Sequence, residues 1–250
     1  WRNAEKTTGE QSLSNFVPYI TSKFDAFISN DIMRPVIAQE KSSFNFRDIM
    51  DSRKILLVNL SKGRLGDINA NLIGLILVGK ILMAALSRVD SFGKSLPPFY
   101  LYIDEFQNIT TDSIATILSE ARKYKLSLTI AHQFIAQLEE KIRDAVFGNI
   151  GSLASFRVGA DDAEYLAKQF EPIFIQKDIM NLDNYQAYLK MLVNGRPARP
   201  FNLDTLPLQK FQHEDTSALK ELSYLKFGKD RVEVEENIIS RYKAKDGPLL

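Results

Sequence analysis

Cysteine is absent from the 250 residues, which excludes disulfides and thiolate metal sites and suits a reducing cytoplasm. Histidine is scarce: His132 and His213 stand far apart with no metal-ligand spacing around either, so no zinc site is expected. Charge of one sign is lacking too. With 32 basic against 31 acidic residues the net charge is +1, and no global field exists to hold a polyanion. Nucleic-acid contact then has to come from a local patch or from symmetry-related copies. No internal repeat or low-complexity tract is present. The chain opens Trp1-Arg2-Asn3, without methionine or a signal-peptide pattern, and is read as a fragment. What is there is ordinary: 45% hydrophobic and 25% charged residues, enough for one sizeable α/β core with appendages, or two small domains.

One long apolar run, Ala70 to Leu86, approaches the length that crosses a bilayer. It carries Asn71 and Lys80, is flanked by Asp67 and Arg88, and lies between two strand patterns. A helix that is apolar nearly all round fits a buried core position, so no membrane segment is expected in this chain.

Periodicity divides the rest. A helix capped by Ser12 or Ser14 is expected to run to about Ser29, with Phe16, Ile20, Phe24, Phe27 and Ile28 as its apolar stripe, and a short helix over Asn45 to Asp51. Lys54 to Leu60 is a continuous apolar run, the mark of a strand buried on both faces, and Phe99 to Ile103 is a second. Helix Asp112 to Lys125, strand Leu126 to Ala131, helix Glu139 to Phe147 and strand Ser152 to Val158 follow. This alternation signals a mostly parallel sheet flanked by helices, the α/β class. Asp161 to Phe170 reads as a helix. Tyr185 to Val193 and Arg199 to Leu203 flank Asn194-Gly195-Arg196-Pro197, a β-hairpin signal. The organisation expected is a helical segment over 1–53, a core over 54–207 and a charged helical tail over 208–250, with an amphipathic stretch at Val232 to Tyr242.

The sharpest chemical feature is Tyr100-Leu101-Tyr102-Ile103-Asp104-Glu105, an apolar strand ending in two carboxylates. Desolvated acids need partners, and open α/β sheets place ligands at strand C-termini. In a nucleotide hydrolase the first acid serves Mg²⁺ and the second orients or deprotonates the attacking water. Taken alone, the pair is equally an Asp-capped solvated turn. Arg122 lies 18 residues after Asp104, at the end of Glu120-Ala121-Arg122-Lys123-Tyr124-Lys125, and Gln133 ends the next strand. A glutamine there has the chemistry to bond a γ-phosphate or its water, and an arginine at a subunit boundary to neutralise a neighbour's phosphate. Separately they are a helix C-terminus complement and loop polarity; with Asp104-Glu105 they form a constellation.

These residues resemble the C-terminal half of the conjugative DNA-transfer coupling proteins of the TraG/TraD type, relatives of the HerA and FtsK motors among the RecA-like P-loop ATPases. The resemblance is carried by FYLYIDEFQN, SEARKYKL, TIAHQ and ASFRVGADDAEYLAKQF, within residues 54 to about 207. It implies a partial RecA-like ATPase core using ATP and Mg²⁺. By it Asp104 serves the metal, Glu105 activates water, Gln133 senses the γ-phosphate and Arg122 acts in trans as a finger. It also implies a hexameric ring that pumps DNA, with relaxase or secretion-system components as partners. The cytoplasmic face of the inner membrane would be its location, reached through an upstream anchor. Residues 1–53 would end an inserted all-α domain.

The family's phosphate loop, G-x-x-x-x-G-K-[ST], is missing. Gly93-Lys94-Ser95 has Arg88 where the first glycine belongs, and Pro97-Pro98 prevents a helix from opening there; Gly79-Lys80-Ile81 sits mid-helix. The isolated chain is therefore expected to bind ATP weakly or not at all. By the resemblance, the phosphate-loop strand would lie beside the strand at Leu126 to Ala131, and its absence would leave backbone groups of that strand unpaired. For nucleic acid the candidates are Lys62 and Arg64, in the glycine-bearing loop Ser61 to Gly66; no aromatics interleave with them. Arg157 is expected to face a buried carboxylate. Two other readings stand beside the motor: a protein-remodelling ATPase of the AAA+ type, and a non-catalytic P-loop-like docking module.

Overall fold

The protein is described here by a computed structural model covering residues 18–19, 22, 28–91, 93, 95–110, 114, 118, 120–207 and 215–245. In chain order the helices and strands are α1 (Met33–Ile37), α2 (Phe46–Asp51), α3 (Lys62–Leu65), α4 (Asp67–Leu86), β1 (Phe99–Ile103), β2 (Leu126–Ile130), α5 (Glu140–Asn149), β3 (Leu153–Ser155), α6 (Ala160–Phe170), α7 (Gln176–Met180), β4 (Gln186–Lys190), β5 (Leu192–Val193), β6 (Arg196–Pro197), β7 (Phe201–Asp204), α8 (Ser217–Phe227) and α9 (Arg231–Lys245). Short 3₁₀ turns occupy Ser87–Ser91, Phe106–Ile109, Ala121–Tyr124 and Ile135–Gln137. Pro18, Tyr19, Ser22 and Ile28 are helical, as are Ile114, Leu118 and Glu120; the rest of the two helices expected there lies outside the described residues.

Two compact units form: one from Phe46–Leu56 and Gly74–Glu214, the other from Trp1–Asn45, Leu57–Ile73 and Asp215–Leu250. The first is α/β. β1 and β2 pair in parallel, Phe99 opposite Leu126 through Ile103 opposite Ile130. Period-2 alternation sends Phe99, Leu101 and Ile103, with Leu126, Leu128 and Ile130, to one core. There they meet Val78, Ile81, Leu82 and Ala85 of α4 and Ile142 and Val146 of α5. The opposite face is open, with Tyr100 60% and Tyr102 72% exposed. β1 thus buries one face and not the two that its apolar run implied, because among the described residues nothing covers the tyrosine side.

The 3₁₀ turn after α4 carries a buried guanidinium. Arg88 pairs with Asp51 at 2.9 Å and donates to the carbonyl of Tyr124 at 2.9 Å, while Arg47 pairs with Asp51 and with Asp90 (3.1 Å). Desolvating Arg88 is tolerable because a carboxylate and a carbonyl meet it. The stretch Asp67–Ser91 is long and apolar enough to cross a membrane, with 28% of its apolar window buried. The all-round burial expected of it reduces to one stripe, Val78, Ile81, Leu82 and Ala85, while Ile76 and Met83 are exposed.

Two expected strands differ. Lys54 to Leu60 forms no strand, and Ile55 and Leu57 are 87% and 80% exposed; among the described residues this segment has neither ladder partner nor cover. Leu153–Ser155 forms a strand, but it pairs antiparallel with β4, which pairs antiparallel with β7. The larger sheet is therefore antiparallel, and the parallel part is confined to β1–β2. Behind β4 lies a second core of Ile135, Ala163, Leu166, Ala167, Phe170 and Ile179, with Phe174 stacked on Tyr188 at 3.7 Å between ring centroids. The expected hairpin is present: β5 and β6 pair around Asn194-Gly195, both at positive φ (52° and 75°), which matches a two-residue primed turn.

In the second unit the tail helix α9 buries Val234 and Ile238. It meets α1 through Arg34 to Glu235 (3.9 Å) and Arg241 donating to the Ala38 carbonyl (2.8 Å), and Phe227 of α8 packs edge-on to Phe44. The amphipathic tail folds back on its own unit.

Candidate active site

β1 ends between two anchors. Ile103 is buried and Phe106 is fully buried, and the two acids lie between them. The ladder continues from Ala131 N to the Ile103 carbonyl (2.9 Å) and from Phe106 N to the Ala131 carbonyl (2.9 Å). A regular parallel ladder would use residue 105 for the second bond, so one extra residue bulges out at Asp104-Glu105. Bulges re-aim side chains and recur beside active sites.

Glu105 takes up the bend with φ 51° and ψ 46°, the left-handed region. For a residue with a Cβ this costs about 1 kcal/mol, and such strain gathers where function requires it. The bend is tied locally: Glu105 N donates to Asp104 Oδ1 (2.9 Å), and Asn108 N to the Glu105 carbonyl (3.0 Å).

The Glu105 carboxylate is held on both oxygens. Gln133 Nε2 donates to Oε1 at 2.7 Å and Gln107 Nε2 donates to Oε2 at 2.6 Å. Of the four residues assigned from sequence, the structure thus joins three: Asp104 and Glu105 by adjacency, and Gln133 through its amide. Gln107 was missed. The available signal was its spacing, two residues after an acid and directly after an aromatic anchor.

The loop carrying Gln133 is fixed from behind. Ile135 N donates to both carboxylate oxygens of Asp162, at 3.2 Å each, in the first turn of α6; Asp162 is 7% exposed. Next to Gln133, burial holds the His132 imidazole below its ordinary value, opposed by the Phe134 backbone and by the charge of Asp162. That favours the neutral form.

Arg122 is elsewhere. It is exposed in the turn before β2, its carbonyl accepting from Lys125 N, and a five-residue strand of about 17 Å separates that edge from the acids. Lys62 and Arg64 lie on the exposed turn of helix α3, not in an open loop, and Lys62 pairs with Asp67 at 3.3 Å. Among the described residues Arg157 meets no carboxylate: it donates to the Leu182 carbonyl (3.2 Å) and Asn184 Oδ1 (3.0 Å).

Among the described residues no three His, Asp or Glu side chains converge as a metal cage. Asp104 is exposed and commits one oxygen to the Glu105 amide. This donor set fits Mg²⁺, which keeps waters and takes one or two carboxylates together with substrate phosphates. It does not fit a metal that needs a full set of protein ligands.

Residues 98–170 match the family model described as the TraM recognition site of TraD and TraG. No curated protein matches the chain significantly. Among solved structures, the plasmid coupling protein TrwB in complex with ADP and Mg²⁺ is 18% identical over 56% of this chain and 37% of its own, with a TM-score of 0.47. The unbound bacterial conjugative coupling protein TrwBdeltaN70 is 16% identical over 53% and 36%, TM-score 0.45. The genome-packaging NTPase B204 from Sulfolobus turreted icosahedral virus 2, in complex with AMPPCP, is 14% identical over 68% and 74%, TM-score 0.45. These are likenesses of shape at low identity. The chain spans little more than a third of the coupling-protein structures it matches. The match at residues 98–170 covers the acidic strand end, Gln133 and Asp162, and over that segment the chain is similar to the TraM recognition site of TraD and TraG.

Proposed function

We propose that this chain supplies the hydrolytic edge of an ATP-driven DNA translocase of the conjugative coupling type. One observation carries the reading: the Glu105 carboxylate stands at a parallel strand end, beside Asp104, in hydrogen-bond contact with the Gln133 amide. On this reading Glu105 takes a proton from water while the water oxygen bonds the γ-phosphorus of ATP. The bond from that phosphorus to the bridging oxygen breaks, leaving ADP and phosphate. Gln133 exchanges Glu105 for the γ-phosphate as the nucleotide arrives. Asp104 would hold Mg²⁺, which neutralises charge on the phosphates when bound.

The chain has no phosphate-loop sequence, so the cradle for the β- and γ-phosphates belongs to a segment outside it. Arg122, on the far edge of the β1–β2 pair, serves a neighbouring subunit in a ring, and the hexamer, the DNA cargo and a place at the cytoplasmic face of the inner membrane belong to the same reading. Lys62 and Arg64 are its candidates for DNA contact.

The test is DNA-stimulated ATP turnover by the whole gene product. Asp104→Asn and Glu105→Gln are each expected to lower kcat at least about 100-fold. Turnover unchanged in both removes the reading. A second reading, partner docking without hydrolysis, is supported by the family description and by the exposed Tyr100 and Tyr102 in the matched segment. It predicts that both acid variants keep full function while Tyr100→Ser with Tyr102→Ser loses it.

A further inference from the structure

Gln107 has two ends with different fates. Its backbone is fixed, because Phe106 beside it is fully buried and the 3₁₀ turn Phe106–Ile109 starts from the left-handed Glu105. That bend returns the side chain to Glu105, whose Oε2 accepts from Gln107 Nε2 at 2.6 Å. The other end, Oε1, is buried and accepts no hydrogen bond from the described residues. The amide cannot reverse, since its oxygen would then face a carboxylate oxygen. A buried acceptor left unmet is unfavourable, and the turn carries it on the side chain whose other end holds the Glu105 carboxylate.

Resting on the hydrolytic reading above, we propose that Gln107 is a second positioning residue, acting on the attacking water through Glu105. Its nitrogen keeps Glu105 aimed once Gln133 has turned to the γ-phosphate. Glu105 removes one water proton; the other stays on the water oxygen and leaves as a hydroxyl of phosphate. The division of labour follows from placement: Gln133 is exposed on a loop and free to change partner, whereas Gln107 is half-buried beside a core anchor.

The experiment uses the whole gene product, with Asp104→Asn as control. Gln107→Leu is expected to lower kcat about 10- to 100-fold with KM for ATP within about twofold. Gln107→Glu sets two carboxylates side by side, which share a proton, so its turnover should be lowest at neutral pH and recover relative to the parent on acidification. In the 250-residue chain, the side-chain amide resonances of Gln107 should move on Glu105→Leu. If Asp104→Asn abolishes turnover while Gln107→Leu keeps kcat within twofold, this inference alone fails. A fall in kcat that tracks a rise in KM and a lower melting temperature, with a flat pH profile for Gln107→Glu, also overturns it. Turnover that survives Asp104→Asn removes the hydrolytic reading and this inference together.

Discussion

Two stretches of the chain are nearly interchangeable as patterns: Ile55-Leu56-Leu57-Val58 and Phe99-Tyr100-Leu101-Tyr102-Ile103 are both short apolar runs with strand-forming residues. Only the second is a strand. It has a parallel partner along its whole length and a helix under one face; the first has neither and leaves Ile55 and Leu57 in solvent. Apolar character makes a strand possible. A ladder partner and a cover make it form.

Substitutions sharpen the contrast. Phe106→Ala, at the fully buried anchor beyond β1, should cost about 3–5 kcal/mol of stability by chemical denaturation. Ile103→Ala, one step before the acids, should cost about 2–4 kcal/mol in the same assay. Glu105→Gly should change stability little, the release of about 1 kcal/mol of left-handed strain offsetting the loss of its two amide hydrogen bonds, while on the hydrolytic reading abolishing turnover in the whole gene product; a loss above about 2 kcal/mol would show that no strain is released there. A pH effect comes next. His132 is held below its ordinary value, so the unfolded chain binds more protons. Stability present above about pH 6.5 is then lost as pH falls toward the folded value, and His132→Asn should flatten that slope in a melting-temperature profile. Ile55→Ala should be smallest, within about 0.5 kcal/mol. A loss as large as that at Ile103 would mean the bare run has cover that these residues do not show.

The geometry of the candidate site was legible where chemistry is local in sequence. Two acids closing an apolar run announced themselves, and Gln133 was placed by ending the next strand. Gln107 was not, because a polar residue after Phe106 reads as ordinary turn polarity until the left-handed Glu105 folds it back. The parallel pair and the Asn194-Gly195 hairpin were legible from run length and turn chemistry. The antiparallel home of Leu153–Ser155 was not: three residues carry no directional signal, and their partners lie more than 30 positions on. Nor was the Arg47–Asp51–Arg88–Asp90 network, whose two halves are joined by links 37 and 43 positions long in the chain.

The grip of Asp162 on Ile135 has a mechanical corollary. Phe134 alone separates the glutamine that contacts Glu105 from the amide that α6 holds, so the two ends of this short span cannot shift independently. On the hydrolytic reading, a glutamine drawn toward a triphosphate would pull on the first turn of an eleven-residue helix. Hydrolysis would slacken that pull, and the helix is long enough to carry the slackening across the domain.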